Sequence, residues 1–389
     1  MQIYLDHSAT TPTRTEAIAA MHRVLTSEWG NPSSIHQWGE RSSTSIEQAR
    51  FQVAALINAN PDAIAFTSGG TEANNQAIMG VANRYDTPQH LIISSVEHSS
   101  ISAPAQWLED RGWQVTRLPV DRSGRVNPDD LATAIRPNTV LVSIIYAQSE
   151  VGTIQPISEL AAICQQYQVY FHTDAVQAAG RIAIDVQKLG IDLLSISSHK
   201  LYGPQGTGAL YIRPGLELVP LLAGGGQEMG WRSGTQAVPQ IAGFGVAAEL
   251  ASEELAAENL RLIGLRDRFF ELLSDCSMLI PTGDKIHRLP HHLSFCLAIP
   301  SCHSQASITG KTIVRQLNLA GIGISSGAAC ASGKLTPSPI LLAMGYSQTD
   351  AVGGIRITLG RSTTRADIDW TAMVLKQILD RLTPQLVCI

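Results

Sequence analysis

Ile191-Asp192-Leu193-Leu194-Ser195-Ile196-Ser197-Ser198-His199-Lys200 is the stretch that decides how this chain is read. An apolar run of strand character stops abruptly in small polar residues, a histidine and a lysine. Tyr202-Gly203-Pro204 follows, so Lys200 does not sit on a solvated helix face. Upstream, Val169-Tyr170-Phe171-His172-Thr173 is a second such run, and it ends in Asp174. A lysine and a carboxylate at the ends of two strands are what is needed to hold pyridoxal 5'-phosphate. The amine bonds covalently to the aldehyde, and the carboxylate keeps the pyridine nitrogen protonated so that the ring accepts electrons.

The surrounding pattern alternates short β-rich runs with helical ones. Residues 63–67, 91–95 and 140–145 read as strands, and 72–85, 103–111 and 157–167 as helices. This rhythm predicts an α/β fold with a mainly parallel sheet covered by helices. From Phe244 to Leu273 the pattern becomes one long helix rich in Ala, Leu and Glu, suited to bridging two units. Beyond it, His292-Leu293-Ser294-Phe295, Thr312 to Leu319 and Ile355 to Leu359 suggest a smaller α+β unit. The first dozen residues, polar and rich in Thr and Pro, read as a docked arm.

A chain of 389 residues is too long for one small core, so two domains are expected. The net charge of −5 gives no basic footprint for nucleic acid, and no apolar run is long enough to span a membrane. The N-terminal residues lack the basic and apolar regions of a signal peptide, which points to the cytosol. The six cysteines form no C-x-x-C pair, which argues against a metal site and for reduced thiols. Cys164 reads as helix core, and Cys276 and Cys388 lie near element ends. Cys296 and Cys302 flank Pro300 in what reads as a loop, where they could form a redox pair. Cys330, in Ser325-Ser326-Gly327-Ala328-Ala329-Cys330-Ala331-Ser332-Gly333, is set among small residues that predict an exposed loop, where a stabilised thiolate can attack as a nucleophile.

Ser68-Gly69-Gly70-Thr71-Glu72 follows a strand and opens a helix, so its free N–H groups suit an anion such as the cofactor's phosphate. Read alone it is equally a plain turn with Thr71 as N-cap. His98 closes a strand at the end where open α/β sheets bind ligands, and a histidine there can stack on the ring and move protons. Gln177 is close enough in sequence to Asp174 to reach the same ligand, while Ser197, His199 and Thr235 can add hydrogen bonds. Arg356, inside the apolar run Ile355-Arg356-Ile357, needs a partner for its charge. A substrate carboxylate and a structural salt bridge fit it equally well.

Together these residues resemble the NifS/IscS-type cysteine desulfurases, within the aspartate-aminotransferase-like group of pyridoxal-phosphate enzymes. The resemblance runs from Tyr4-Leu5-Asp6-His7-Ser8-Ala9-Thr10-Thr11-Pro12 to Arg356 and Arg361. It includes Gly30-Asn31-Pro32-Ser33-Ser34-Ile35-His36, Gly224-Gly225-Gly226-Gln227-Glu228 and Arg232-Ser233-Gly234-Thr235. The Ser-Ser-Gly-Ala-Ala-Cys form around Cys330 looks like the subgroup with a long catalytic loop. The resemblance implies an arm over residues 1–15 packing with the small domain, a large cofactor domain over 16–258, and a small domain over 259–389 carrying the cysteine loop.

By the same resemblance Lys200, Cys330 and His98 are catalytic, with Lys200 bonded to the cofactor and His98 stacked on it. Asp174 and Gln177 hold the ring, and Gly70, Thr71, Ser197 and His199 hold the phosphate, joined by Thr235 from the second subunit of a homodimer. Asn31 and Arg356 bind the carboxylate of L-cysteine, and Cys330 receives its sulfur as a persulfide. The implied partners are an iron–sulfur scaffold protein or acceptors for thiolated cofactors and tRNA. Gln148-Ser149-Glu150 departs from the family's Asn-Asn-Glu, so Ser149 stands where an Asn contacts the cofactor and helps place the substrate. The segment Cys296 to Lys311 looks longer than usual, and the chain ends soon after Leu382, without the tail some members use to dock a scaffold. Ser149 keeps open a β-lyase or selenocysteine lyase on the same scaffold, and a non-catalytic regulatory dimer is the competing reading of another class.

Overall fold

The computed structural model describes residues 2–298, 308–327 and 336–382. The arm forms β1 (Ile3–Tyr4) and is followed by α1 (Thr15–Ser27) and α2 (Gln37–Leu56). Neither helix is among those expected from the sequence, although α1 buries Ala17, Ala20 and Val24 on one face. In α2, Gly39, Ser42, Ser43, Thr44 and Ser45 break the apolar periodicity that would mark an amphipathic helix.

The expected alternation comes next: β2 (Ile64–Thr67), α3 (Gly70–Ala82), β3 (His90–Ser94), α4 (Ser99–Glu109), β4 (Gln114–Leu118) and α5 (Pro128–Ala134). It continues with β5 (Thr139–Ser143), α6 (Ile157–Gln166), β6 (Tyr170–Asp174), α7 (Val186–Leu189), β7 (Leu193–Ser197) and β8 (Gly208–Ile212). The strands make one seven-stranded sheet in the order β2-β8-β7-β6-β5-β3-β4. From β7 to β4 every pairing is parallel, and β8 alone runs antiparallel to both its neighbours. Helices cover both faces, so β3, β7 and β8 are buried at every position and read as continuous apolar runs. β4 is the exception: as a half-exposed edge strand, Gln-Val-Thr-Arg-Leu, it carries no apolar signal.

A long helix, α8 (Val238–Leu272), leads away from this sheet. It starts before the expected Phe244 because Pro239 in its first turn costs no hydrogen bond. α2 packs along it, and small residues make that closeness possible: a Cβ on Gly245 would fall 2.5 Å from Ala49 Cα. β9 (Leu279–Pro281), β10 (His292–Leu297), α9 (Gly310–Leu319), β11 (Ile322–Gly323) and β12 (Ser325–Ser326) follow. The described chain closes with α10 (Pro339–Ala343), α11 (Gln348–Val352), β13 (Ile355–Thr358) and α12 (Arg365–Leu382). A second, antiparallel sheet has the order β12-β13-β10-β9, with its own apolar core around Phe269, Leu293, Phe295, Ile357 and Leu375.

The arm is tied to this second unit. β1 lies parallel to β11, Thr358 N–H donates to Leu5 O at 2.8 Å, and Asp6 bridges to Thr358. The arm then crosses to the first unit, where Thr11 N–H donates to His199 O at 3.0 Å. Two sequence expectations need correction. Cys296 is not in a loop but inside β10, buried, where desolvation pushes its thiol far above the ordinary range and leaves it unreactive. Helix α3 begins at Gly70 with Gly69 as its cap, so Thr71 lies inside the first turn and is not the N-cap. Cys302, Cys330 and Cys388 lie outside the described residues.

Phe295 is 1% exposed in β10 and its ring meets that of Phe270 at 5.4 Å between centroids. Phe295→Ala is expected to cost about 3–5 kcal/mol by loss of contact and cavity formation. A fall of several degrees in the thermal midpoint checks this; an unchanged midpoint would contradict the packing of the second core.

Candidate active site

The parallel strands end together, and their carboxyl ends open into a cavity of about 1060 Å³ between the two units. Such a crevice, at the carboxyl edge of an open sheet, is where this architecture binds ligands. Lys200 enters it from the turn after β7, Asp174 from the last residue of β6, and Gln148, Ser149 and Glu150 from the loop after β5. Glu97 and His98 come from the loop after β3, and Gly70, Thr71 and Asn74 from the first turns of α3. The second unit supplies Arg356, and the arm supplies Ser8 and Ala9.

Lys200 Nζ donates to the carbonyl oxygens of Ser8 and Ala9 at 2.6 and 2.7 Å. Burial, helped by the nearby Arg356 cation and opposed by Asp6 and Asp174, lowers its amine to about 8. A lysine so tuned supplies free amine near neutral pH, as a carbonyl-bonding nucleophile must.

Asp174 is 4% exposed, and burial raises its carboxyl above the ordinary range. Asn74 Nδ2 donates to Oδ2 at 2.8 Å and Val176 N–H to Oδ1 at 3.0 Å, so both oxygens are oriented. His172, in the middle of β6, is held neutral by burial at about 3 and only braces the sheet through Ser143 and Ser195.

His98 caps α4: its Nδ1 accepts from Ser100 N–H at 3.2 Å and lies 2.7 Å from Ser100 Oγ. Because Asn74 also donates to Ser100 Oγ at 2.7 Å, a chain of contacts runs from Asp174 through Asn74 and Ser100 to His98. Gln177 Nε2 donates to Ser8 O at 2.9 Å, beside the acceptors of Lys200. Gly70, Thr71, Ser197 and His199 line one end of the cavity, at the start of α3. Gly70 is required there, since a Cβ would sit 2.6 Å from Val176 Cγ2. His199, lowered to about 4 chiefly by burial and then by Lys200, is neutral and touches Thr10 Oγ1 at 3.1 Å.

Arg356 resolves an ambiguity of the sequence reading in an unexpected way. Its Nη2 donates to Asp6 Oδ1 at 2.7 Å and Nη1 to Ser149 O at 3.2 Å, while the buried Nε has no partner among the described residues. It therefore has a structural ion pair and also faces the cavity with donor capacity to spare. Two expected site residues are not brought to the cavity in this chain. Asn31 is exposed in the turn before α2, its Oδ1 accepting from Ser33 N–H at 3.0 Å, and Thr235 is exposed on the loop before α8.

The sequence reading missed Asp6, Asn74, Glu97 and Ser100 as site residues, and quoted Glu150 only as part of a motif. Glu97 is buried, with Oε1 accepting from Ser94 Oγ at 2.5 Å and Ile145 N–H at 2.8 Å and Oε2 unpartnered among the described residues. Burial, with a lesser push from Asp174, raises it to about 8. Burial likewise raises Glu150 to about 7, against the opposing pull of a Ser338 hydrogen bond and Arg356.

Pyridoxal phosphate fits these residues on three counts. The cavity has an amine for its aldehyde, a buried and doubly oriented carboxylate for its ring nitrogen, and a helix start lined by small residues for its phosphate.

Residues 3–370 match the Aminotransferase class-V family model. The chain is 47% identical over 383 residues to a cysteine desulfurase IscS of Dictyoglomus turgidum, covering 98% of this chain and 95% of that one. A solved NifS-like protein superposes with a TM-score of 0.91 at 33% identity, over 98% of this chain and all of the other. A structure of SspA in complex with cysteine superposes with a TM-score of 0.80 at 34% identity, over 92% of this chain and 99% of the other.

Glu97 provides a test of the site's electrostatics. Its carboxyl titrates at about 8 in the fold and at about 4.3 in an unfolded chain. Between those values the folded chain binds the extra proton, so Glu97 makes the protein less stable as pH rises across that window. Glu97→Gln keeps the acceptor oxygen, is neutral at every pH and removes this slope. Its thermal midpoint is expected to gain on the parent's between about pH 5 and about pH 8. A difference that stays constant with pH would mean that Glu97 is ionised in the fold.

Proposed function

The chain belongs to the class-V aminotransferase family, and from that premise we propose that it is a pyridoxal-phosphate-dependent L-cysteine desulfurase that moves sulfur from L-cysteine to Cys330 and releases L-alanine. The observation that carries this reading is one cavity holding Lys200, Asp174 and the start of α3 in a chain that matches cysteine desulfurases over almost its whole length. When bound, the cofactor draws electron density from the substrate's Cα, so that bonds at Cα and Cβ weaken.

In this reading Lys200 would hold the cofactor through its amine, and that amine, when free, would take the substrate's α-proton. Asp174, oriented by Asn74, would keep the ring nitrogen protonated. Gln177 would hold the phenolic oxygen, Gly70, Thr71, Ser197 and His199 would hold the phosphate, and His98 would support the ring. Arg356 binds the substrate carboxylate, with Asn31 as a further carboxylate ligand. Ser149 takes the place of the family's Asn beside the cofactor. The Cys330 thiolate attacks the substrate sulfur; the Cβ–S bond breaks with its electron pair left on the carbon side, Cβ takes up a proton, and return of the α-proton from Lys200 to Cα completes alanine. Cys330 keeps the sulfur as a persulfide for an iron–sulfur scaffold protein or for acceptors that thiolate cofactors and tRNA.

A homodimer belongs to the same reading. Thr235 does not line the cup formed by Gly70, Thr71, Ser197 and His199 in its own chain, so a role in holding phosphate requires a second copy. Trp29, Ile35, Trp38 and Met229 are exposed apolar side chains, Ile35 at 97%, and in this reading a second copy covers them. The division into an arm over 1–15, a large domain over 16–258 and a small domain over 259–389, and a cytosolic location, complete the reading. Among the described residues no helix is long and apolar enough to cross a membrane.

Borohydride reduction of the holoenzyme is expected to tag Lys200 and no other side chain. With L-cysteine the enzyme should yield alanine and a persulfide on Cys330, and Cys330→Ala should lose both while keeping the cofactor. Pyruvate and ammonia as products would instead identify a β-lyase. The shared site is tested by mixing Lys200→Ala with Thr235→Ala subunits. If Thr235 acts across the dimer, each hybrid holds one fully native site and activity returns; if it acts within its own chain, the mixture stays as inactive as its parents.

A further inference from the structure

The loop that carries Thr235 is held by a buried ion pair that does not line the cavity. Arg50, on α2, and Glu228 are 5% and 1% exposed at their side chains. Arg50 Nη1 donates to Glu228 Oε2 at 2.7 Å and Nη2 to Oε1 at 3.1 Å, a two-pronged pair. Each carboxylate oxygen then takes a second donor. Oε2 accepts from Phe66 N–H in β2 at 2.8 Å, and Oε1 accepts from Gln236 Nε2 at 3.0 Å. Gln236 is the residue next to Thr235.

The backbone shows why such an anchor is needed. Glu228 and Met229 have φ of 50° and 56°, and Gly226 and Gly230, at 76° and 84°, flank them in the same left-handed region. Two consecutive side-chain-bearing residues adopt it only where the surroundings hold them. The loop is also closed on itself: Ser233 N–H donates to Leu222 O at 3.0 Å, and Gly234 N–H to Gln227 Oε1 at 2.9 Å. A second ion pair fastens its other side to the cup, with Arg232 Nε donating to Glu72 Oε1 at 2.9 Å while Glu72 Oε2 accepts from Ser68 N–H at 2.8 Å.

We infer that Glu228 and Arg50 are positioning residues for the cofactor phosphate: through Gln236 they hold the closed loop so that Thr235 reaches the phosphate cup of a second copy. The inference rests on the reading of Thr235 given above. Glu228 does not line the cavity of its own chain and acts through what it holds: the loop through Gln236, and β2 through the Phe66 N–H. Gln236→Leu cuts the loop side alone, so it separates the effect on Thr235 from any effect on β2 and the chain's own cup.

The test measures binding of pyridoxal phosphate to the apo-dimer by titration, with the phosphorus resonance of the bound cofactor as a second readout. Glu228→Gln and, as a milder cut that leaves the ion pair whole, Gln236→Leu should each weaken binding about tenfold, the size seen when the support behind a ligand is removed. They should also shift the phosphorus resonance while the protein sediments as a dimer. In a Thr235→Ala background neither change should weaken binding further, because the contact they support is already gone. Unchanged affinity in Gln236→Leu, or losses that add to that of Thr235→Ala, would overturn the inference and leave Glu228 a purely structural residue. Unchanged affinity in Thr235→Ala alone would overturn the reading of Thr235 itself, an outcome distinct from the other two.

Discussion

Two cationic side chains, Lys200 and Arg356, share one crevice, and the arm is what makes that tolerable. Lys200 and Arg356 repel each other across the cavity, and that repulsion adds to the burial that lowers the lysine. The arm answers both charges within a few residues. Asp6 pairs with Arg356, while the carbonyls of Ser8 and Ala9 accept from the Lys200 ammonium. Since β1 is paired to β11 and Thr11 is bonded to His199, the arm is fixed to both units. The lysine of the first unit and the arginine of the second thus belong to one network, although 156 positions separate them in the chain.

This network also explains why the cavity lies where it does. The parallel strands β3, β5, β6 and β7 all point the same way, so the residues after each come to one edge. Charged side chains at strand interiors would have to pay full desolvation, whereas at the carboxyl ends they meet helix starts and loop N–H groups. Asp174 illustrates the point: as the last residue of β6, it receives Val176 N–H from the turn and Asn74 from α3. The Lys200 ammonium carries only donors and needs acceptors, which the arm carbonyls of Ser8 and Ala9 supply.

Strand-end residues were legible in the sequence because an apolar run that stops in Asp or Lys is a local signal. Lys200, Asp174 and His98 all carry it, and the glycines before Thr71 carry the equivalent signal for a helix start. What stayed hidden depends on partners from distant elements. Asn74 is an ordinary polar residue within a helix until α3 lies beside β6, and Asp6 is an acidic residue in a polar arm until β13 brings Arg356 to it. The antiparallel course of β8 is equally silent, since strand direction leaves no mark on a short buried run. α2 was hidden for a different reason: its serines and small residues serve close approach to α8 and erase the period that would reveal a helix.

Glu97 and Glu150 show how charge balance constrains such a cavity. Both are buried, each has an oxygen without a partner among the described residues, and neither has a two-pronged arginine such as Arg50 gives Glu228. Burial raises them to about 8 and about 7, so Glu97 is mostly neutral and Glu150 about half so near neutral pH. An anionic ligand entering this crevice would meet strong repulsion from two further carboxylates at close range and low dielectric. Burial therefore takes much of the charge from Glu97 and part of it from Glu150, while Asp6 is paired with Arg356 and Asp174 is oriented by Asn74 and the Val176 N–H. The charge that an incoming anion would meet is thus reduced mainly by burying carboxyls rather than by pairing each with its own arginine.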